Sequence, residues 1–439
     1  MASLTIGANQ TNRTRGFMET GFKQDGLKIR INSPGADQYT KISYPVKYGV
    51  YSEIETENVV FQFNLNHEIV RARGKTASWI HPQEWLKRTM GNDWIYYSSG
   101  GYTGVFEAIG EYYLPNLQYP TNSVIGGAPF QTEAVDTIVS SWHTTVQSIC
   151  NSANGAEERV KRFLHRAASV SPEALQQKGE ALFPSQKERV TVLPPDARHV
   201  DYDVIPLNIS TGCLYSCRFC RVKTGEDFKE KSRTAIKEQI LELKDLYGRD
   251  IINYNSLFLG QHDALNADKE LILFAAAEAH RKFNFAASYM KGCHLFLFGS
   301  VDSLLNADAD LFKKLNDLDF ATYINIGLES ADQKTLDLIG KPLTETKVRQ
   351  AFQAIRDING QYENIELTSN FLMDDTLPAG HTESFYRLAR QGAATLHPKG
   401  CIYLSPLAVD KPSREKLFQF NRLKTISRFP TFLYIIQRL

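Results

Sequence analysis

The second half of this 439-residue chain alternates between short apolar runs and longer segments with helical spacing, and no other feature restricts its fold as much. The apolar runs predict six strands, at residues 204–209, 254–259, 294–298, 322–328, 365–372 and 402–404. Between them, apolar residues three or four positions apart predict five helices, at residues 232–247, 267–283, 309–318, 345–359 and 383–391. This alternation favours an α/β fold with a parallel sheet, whose ligands bind at the carboxyl ends of the strands.

Composition excludes several other classes of protein. Lys and Arg number 50 and Asp and Glu number 49, so the net charge of +1 gives no overall field that would attract nucleic acid, which is not indicated as a partner. The first residues contain no apolar signal segment, and no apolar run approaches the roughly 18 residues of a membrane-spanning helix. Six cysteines are too few for a disulfide scaffold, which favours the reducing cytoplasm.

Three of the cysteines crowd into one short segment directly after the first predicted strand, as Cys213, Cys217 and Cys220. Three thiolates from one loop can ligate three corners of an iron–sulfur cube and leave the fourth iron open. A structural zinc site normally needs a fourth ligand nearby, and no Cys or His follows within 40 residues of Cys220, since the next is His262. The spacing therefore favours an open-corner cluster, with zinc or inert thiols as the alternatives. The other three cysteines are isolated and are interpreted as small buried hydrophobes: Cys150, Cys293 and Cys401.

The CxxxCxxC spacing, with the aromatic residue Phe219 directly before the last cysteine, resembles the signature of the radical SAM superfamily. The resemblance implies a partial (β/α)6 TIM-like barrel over residues 200–410. It also implies a [4Fe-4S] cluster on the three cysteines and S-adenosylmethionine (SAM) on the open iron. In that superfamily the reduced cluster cleaves SAM and yields a 5′-deoxyadenosyl radical, which removes hydrogen from a substrate. A low-potential electron donor, such as a flavodoxin or a ferredoxin, is the implied partner.

The resemblance also implies which residues contact SAM after the second predicted strand. The superfamily usually carries a Gly-Gly-Glu type segment there, which binds the amino group of SAM, and this chain has Gly260, Gln261, His262 and Asp263. Asp263 could replace the usual acid, and His262 could instead reach the substrate. After the third strand, Ser300 is the corresponding polar candidate. Its alternative interpretation is an ordinary turn or cap residue.

A third set of candidates follows the fourth strand. Glu329 lies in a Gly-Leu-Glu-Ser segment, and Lys341 follows in a Leu-Ile-Gly-Lys segment. The pair resembles a stretch of the Elp3/MiaB/NifB-like branch of the superfamily, in which a polar residue contacts SAM and a basic residue meets its carboxylate. The branch often has Arg where this chain has Lys341, and Lys offers a point charge in place of a planar fork.

The remaining segments match no family. Residues 1–190 are predicted to form an accessory α+β domain that could cap the mouth of the barrel, with strands near 48–54 and 58–65. A helix is predicted to begin at Pro82, and further helices at 132–149, 155–168 and 172–182. Residues 411–439 form a basic amphipathic tail, for which packing against the barrel is favoured over membrane contact.

Taken together, these features predict a single-cluster radical SAM enzyme with an unidentified substrate. Residues 1–200 contain one cysteine, so the second cysteine-rich cluster of a methylthiotransferase is missing. After Cys220 only Cys293 and Cys401 remain, which are too few for an auxiliary cluster. The alternative is a non-catalytic iron–sulfur or zinc protein that uses the barrel as a scaffold or sensor.

Overall fold

The computed structural model describes residues 20–24, 26–40, 47–99, 105–107, 109–118, 128–153, 155–182, 192–220, 225–260, 262–390, 399–407 and 414–439. In this part of the chain, the N-terminal half forms an eight-stranded antiparallel sheet in which each strand pairs with the next along the chain. The strands are β1 (Thr20–Gln24), β2 (Leu27–Pro34), β3 (Val50–Glu55), β4 (Val59–Phe63), β5 (Ile69–Gly74), β6 (Trp85–Arg88), β7 (Trp94–Ser98) and β8 (Leu114–Leu117). Three helices follow: α1 (Glu133–Ser152), α2 (Glu158–Ser169) and α3 (Pro172–Ala181).

This half has the predicted α+β character, with one correction. The helix predicted to begin at Pro82 is wrong, because residues Trp85–Arg88 form β6 and pair with both β5 and β7. Strand alternation then gives the sheet two buried faces. In β7, Trp94 and Tyr96 pack in a cluster with α1 and α2, whereas Ile95 and Tyr97 pack in the core of the second half. The sheet is therefore a middle layer between the helices and the barrel.

The second half forms the predicted parallel sheet, together with a short antiparallel ribbon of β10 (Ser210–Thr211) and β11 (Lys229–Glu230). The sheet is ordered β9-β12-β13-β14-β15-β16-β17, and all neighbouring strands are parallel. Its strands are β9 (Ile205–Pro206), β12 (Ser256–Phe258), β13 (His294–Gly299), β14 (Ala321–Glu329), β15 (Ile365–Met373), β16 (Ile402–Pro406) and β17 (Thr431–Leu433). The helices are α4 (Arg233–Tyr247), α5 (Lys269–Phe283), α6 (Val301–Leu305), α7 (Leu311–Asn316), α8 (Gln333–Ile339), α9 (Glu345–Gln361), α10 (Ala379–Arg390) and α11 (Arg414–Ile426).

All six predicted strands are present, and a seventh comes from the segment predicted to be a separate tail. In that segment, α11 buries Phe420 and Leu423, and β17 pairs with β16. The segment after residue 410 therefore extends the barrel sheet, because burial of these apolar residues decides its place. No helix in the described residues is both long and apolar enough to span a membrane.

The N-terminal sheet docks against loops that precede the barrel strands. The Tyr48 hydroxyl lies 2.8 Å from a carboxylate oxygen of Asp201 and 2.6 Å from one of Asp203, so it donates within this pair of acids, which precede β9. Lys87 Nζ lies 3.1 Å from Asp201 and 2.9 Å from Asp203. Tyr48, Lys87 and Asp201 are buried, and the side chain of Asp203 is 18% exposed. Further contacts reach the segments before β12 and β13: Val50 to Asn253, Leu65 to Asp250, and Asp37 to Lys291. These described contacts lie at the amino ends of the strands, opposite the mouth that the domain was expected to cap.

A short helical segment also closes this end of the barrel from within. Residues Pro195–Val200 form a 3-10 helix between the two halves of the chain. The carboxylate of Asp196 in it is fully buried and accepts from Thr368 Oγ1 and the Tyr403 hydroxyl, each at 2.7 Å. His199 stacks on Tyr323 of β14 with ring centroids 4.7 Å apart. The open end is therefore the carboxyl end of the strands.

Candidate functional site

The cysteine loop starts at the carboxyl end of β9 and is bounded by the β10–β11 ribbon. Gly212 opens it with a φ of +70°, and a Cβ there would lie 2.2 Å from the carbonyl oxygen of Asp227. Only glycine combines this left-handed backbone with so close an approach. The amide of Cys213 donates to the Glu226 carbonyl (3.4 Å), so both arms of the ribbon hold the first cysteine.

The three cysteine side chains are buried to different degrees. Cys217 is 8% exposed, and Cys213 and Cys220 are half-buried. Burial, followed by the charges of Cys220 and Asp263, raises the pKa of the Cys213 thiol to about 12. Burial also raises the pKa of Cys217. Such thiols stay protonated at neutral pH until a metal displaces the proton, as cluster ligands do.

Two contacts fix the far side of this loop to the barrel. The amide of Arg218 donates to the Ile339 carbonyl (2.9 Å), and the Arg218 side chain lies against Gly340, whose φ is +65°. The Tyr215 hydroxyl donates to Asp302 Oδ2 (2.7 Å). The sequence analysis missed Tyr215; its position between the first two cysteines was the available signal. Phe219, the aromatic residue of the motif, is half-buried beside Cys220.

The turn after β12 brings two polar residues to the cysteine loop. Gly260 has a φ of +112°, and a Cβ there would lie 3.0 Å from Asn208 Oδ1. His262 Nδ1 lies 3.2 Å from Cys213 Sγ, so the side chain expected to reach the substrate contacts a cysteine of the motif. Asp263 follows it, and Gln261 lies outside the described residues.

Asp263 is held by one oxygen and leaves the other without a partner. Its Oδ1 accepts from the Ser300 amide (3.0 Å) and from Ser303 Oγ (2.8 Å). Its Oδ2 is buried and has no hydrogen-bond partner, and burial raises the pKa of the carboxyl. A buried carboxylate oxygen without a donor costs free energy unless a ligand satisfies it. This oxygen therefore fits the ammonium group that the sequence assigned to it.

Ser300, the candidate after the third strand, makes hydrogen bonds within the protein. Its Oγ accepts from the Ser303 amide at 3.0 Å and caps the N-terminus of α6. The cap places the Ser300 amide where it donates to Asp263. Ser300 thus supports Asp263 through its backbone, and Ser303, which the sequence analysis missed, is recognisable from its place three residues after a capping serine.

Glu329 and Lys341 form a buried pair near Cys217. Lys341 Nζ donates to the Gly327 carbonyl (2.6 Å) and lies 3.3 Å from Glu329 Oε1, with side chains 5% and 11% exposed. Glu329 has a φ of +64°, which turns its side chain back over Gly327. Burial is the main cause of the raised pKa of Cys217. The positive charge of Lys341 lowers this pKa, and the negative charge of Glu329 raises it. Lys341, expected to meet the carboxylate of SAM, therefore already has an anionic partner.

A domain of the radical SAM superfamily accounts for this arrangement of fold and cysteine loop. Residues 207–374 match the family model described as the radical SAM superfamily. The match begins directly after β9 and ends just after β15. The match identifies a radical SAM domain within the chain, which supports an enzyme. No curated protein matches the chain significantly.

Several solved radical SAM structures resemble the chain at low identity. One is a radical SAM methyltransferase from Sphaerobacter thermophilus, with 14% identity and a TM-score of 0.38, covering 53% of this chain and 65% of that one. Another is SuiB from Streptococcus suis, with 10% identity and a TM-score of 0.37, covering 81% of this chain and 72% of that one. The chain thus spans slightly less than two-thirds of the methyltransferase. These scores carry no argument about the reaction.

Proposed function

We propose that this enzyme binds a [4Fe-4S] cluster through Cys213, Cys217 and Cys220 and cleaves SAM reductively to generate a 5′-deoxyadenosyl radical. The observation that carries the proposal is the juxtaposition of the cysteine loop with a buried carboxylate oxygen that lacks a donor, Asp263 Oδ2. The contact between His262 and Cys213 brings the turn that carries Asp263 against the loop. A cluster-bound amino acid group would bring an ammonium to this position.

The thiolates and the polar side chains have separate tasks in this proposal. Each of the three cysteines would bind a different iron of the cluster. A cluster therefore does not require the three sulfurs to point at one common metal ion. Among the described residues, no three His, Cys, Asp or Glu side chains are arranged to hold a single metal ion. When bound, the cluster supplies the electron that breaks the C5′–S bond of SAM. Asp263 Oδ2 would accept from the SAM ammonium and so fix its orientation.

The other side chains would complete the SAM site. Lys341 would place a positive charge beside the SAM carboxylate while Glu329 keeps it oriented, since their pair is buried at the edge nearest Cys217. Gly260 gives the ligand close access to the backbone, and Gln261, Ser300 and Phe219 are proposed to line the same site.

The substrate would enter from the carboxyl ends of the strands. The described N-terminal domain and the segment Pro195–Val200 close the other end of the barrel. The substrate itself is unidentified. A flavodoxin or ferredoxin is proposed as the electron donor, because SAM cleavage needs a low-potential electron that the chain itself does not supply.

The test is an anaerobic assay for the cleavage product. The protein is reconstituted with iron and sulfide, dithionite and SAM are added, and 5′-deoxyadenosine is quantified by mass spectrometry. We expect product from the wild type and none from the Cys213→Ala, Cys217→Ala, Cys220→Ala variant. A matched control, Cys150→Ala with Cys293→Ala, changes two thiols outside the loop and should retain activity.

Two outcomes would contradict the proposal. Zinc in place of iron in protein purified without air would favour the zinc alternative. A fully loaded cluster that binds no SAM and yields no 5′-deoxyadenosine would favour a scaffold or sensor.

A further inference from the structure

We propose that His262 donates a ring N–H···S hydrogen bond to the cluster-ligating sulfur of Cys213 and thereby raises the reduction potential of the cluster. The inference rests on the proposed function, because it takes Cys213 as a cluster ligand. It assigns His262 to the cluster, and not to the substrate.

The position of His262 is built into the turn after β12. The side chain is 8% exposed, and its Nδ1 lies 3.2 Å from Cys213 Sγ. The Ala264 amide donates to the His262 carbonyl (2.8 Å), and the Asn266 amide donates to the Asp263 carbonyl (3.0 Å). The main-chain N–H of Asp263 is also a hydrogen-bond donor to the Cys213 sulfur. His262 Nδ1 and the Asp263 main-chain N–H, which belong to the same turn, thus both lie at one sulfur.

The chemistry of the sulfur decides the direction of the hydrogen bond. A thiolate bound to iron carries no proton, so the short contact is favourable only if Nδ1 carries the hydrogen and donates it. Hydrogen bonds to ligand sulfurs are among the features that set the potential of iron–sulfur clusters. Reduction adds negative charge, and an N–H donor stabilises the more negative state more strongly. The donor therefore makes the cluster easier to reduce.

A second Cys–His pair in the same protein provides a matched control. Cys293 Sγ lies 3.8 Å from His280 Nε2, and neither residue belongs to the cysteine loop. His280 also packs edge-on against Phe285 and Phe320, so a phenyl ring at this position is compatible with its surroundings. His280→Phe makes the same chemical change beside a cysteine that ligates nothing in the proposal.

The experiment is an EPR-monitored potentiometric titration of the reconstituted protein without SAM. It compares the wild type with His262→Phe, His262→Leu, His262→Gln and His280→Phe. At the midpoint potential of the wild type, we expect the ratio of reduced to oxidised cluster to fall at least tenfold in His262→Phe and His262→Leu, equivalent to 59 mV for one electron. His262→Gln keeps an N–H donor, so its ratio of reduced to oxidised cluster should fall less. The ratio in His280→Phe should equal that of the wild type.

The inference is overturned if all three His262 variants have the wild-type potential, or if the Gln variant falls as far as the Phe and Leu variants. It is also overturned if nitrogen hyperfine coupling in the wild type shows that His262 ligates iron. Formation of 5′-deoxyadenosine does not enter this measurement. A normal titration without SAM cleavage would therefore contradict the proposed function alone.

Discussion

At the scale of single residues, the site depends on buried charges whose partners can be changed one at a time. Asp263 uses Oδ1 for two internal donors and leaves Oδ2 open. Asp263→Asn keeps an acceptor for the internal donors but replaces the open oxygen by an amide that cannot accept from an ammonium. We expect the dissociation constant for SAM to rise at least tenfold, which is about 1.4 kcal/mol. Equilibrium dialysis with the reconstituted protein measures it.

The control for this prediction is Asp317→Asn, because Asp317 is an exposed residue paired with Lys313 on the barrel surface. It should leave SAM binding unchanged. Equal affinities for the wild type and the Asp263→Asn variant would remove Asp263 from the SAM site.

The pair of Lys341 and Glu329 makes a second prediction at this scale. Breaking a buried ion pair leaves one charge uncompensated and typically costs about 3–5 kcal/mol. We expect Lys341→Met to lower the free energy of unfolding by an amount in this range, measured by urea denaturation. The double variant with Glu329→Gln should be less destabilised than Lys341→Met alone. If the double variant has a lower free energy of unfolding than Lys341→Met, Lys341 and Glu329 do not stabilise each other.

At the scale of the elements, the cysteine loop is shaped by its ribbon and by Gly212. A Cβ at Gly212 meets main-chain oxygen at 2.2 Å, whereas a Cβ at Gly225, with the same φ of +70°, meets nothing within 4 Å. We expect Gly212→Ala to lose most of its bound iron after reconstitution. Gly225→Ala should retain its iron and lose only about 1 kcal/mol of stability to its left-handed backbone. Equal iron contents in the two variants would contradict this reading of the loop.

The same scale explains what the sequence could predict. Strands β13 and β15 are mostly buried, and β13 is a largely apolar run. Helix α4 is marked by Ser232, whose side chain accepts from the Ala235 amide, and by Gly248 beyond its end. These are local signals, and each element was predicted from them. The β6 strand was mistaken for a helix because its four residues are held by pairing with β5 and β7. The seventh strand was missed because β17 is three residues long and, among the described strands, pairs only with β16.

The site also contains residues that the sequence could predict and contacts that it could not. The three cysteines and the acid after the second strand are visible as motif residues. The contacts of His262 with Cys213, and of Lys341 with Glu329, depend on how separate loops meet at the carboxyl ends of the strands. The place of the N-terminal domain depends likewise on Tyr48 and Lys87 meeting two aspartates more than 100 residues away along the chain. No spacing in the sequence encodes such contacts.

At the scale of the whole molecule, the two halves share one buried region at the amino ends of the barrel strands. Residues of β7 and β8 pack in the same hydrophobic core as β9 and β12. Buried acids lie at this junction: Asp196 inside the barrel, and Asp250 where the N-terminal sheet meets the segment before β12. Because the junction joins both halves, the ionisation of these acids affects the stability of the molecule as a whole.

These acids predict a fall in stability with rising pH. Burial raises the pKa of Asp196 and of Asp250 to about 7, against their hydrogen bonds, which lower it. In the unfolded chain an aspartate titrates near pH 3.9.

Between about pH 4 and pH 7, each acid therefore keeps its proton in the folded protein and has lost it in the unfolded chain. A rise in pH over this range favours unfolding for that reason. From pH 5 to pH 7 the loss is roughly 2 kcal/mol for each acid. Urea denaturation should show this slope in the wild type and a smaller one in Asp196→Asn and in Asp250→Asn, with Asp317→Asn matching the wild type. A wild-type stability that rises over this range, or slopes that neither variant reduces, would mean that both acids are ionised in the folded protein.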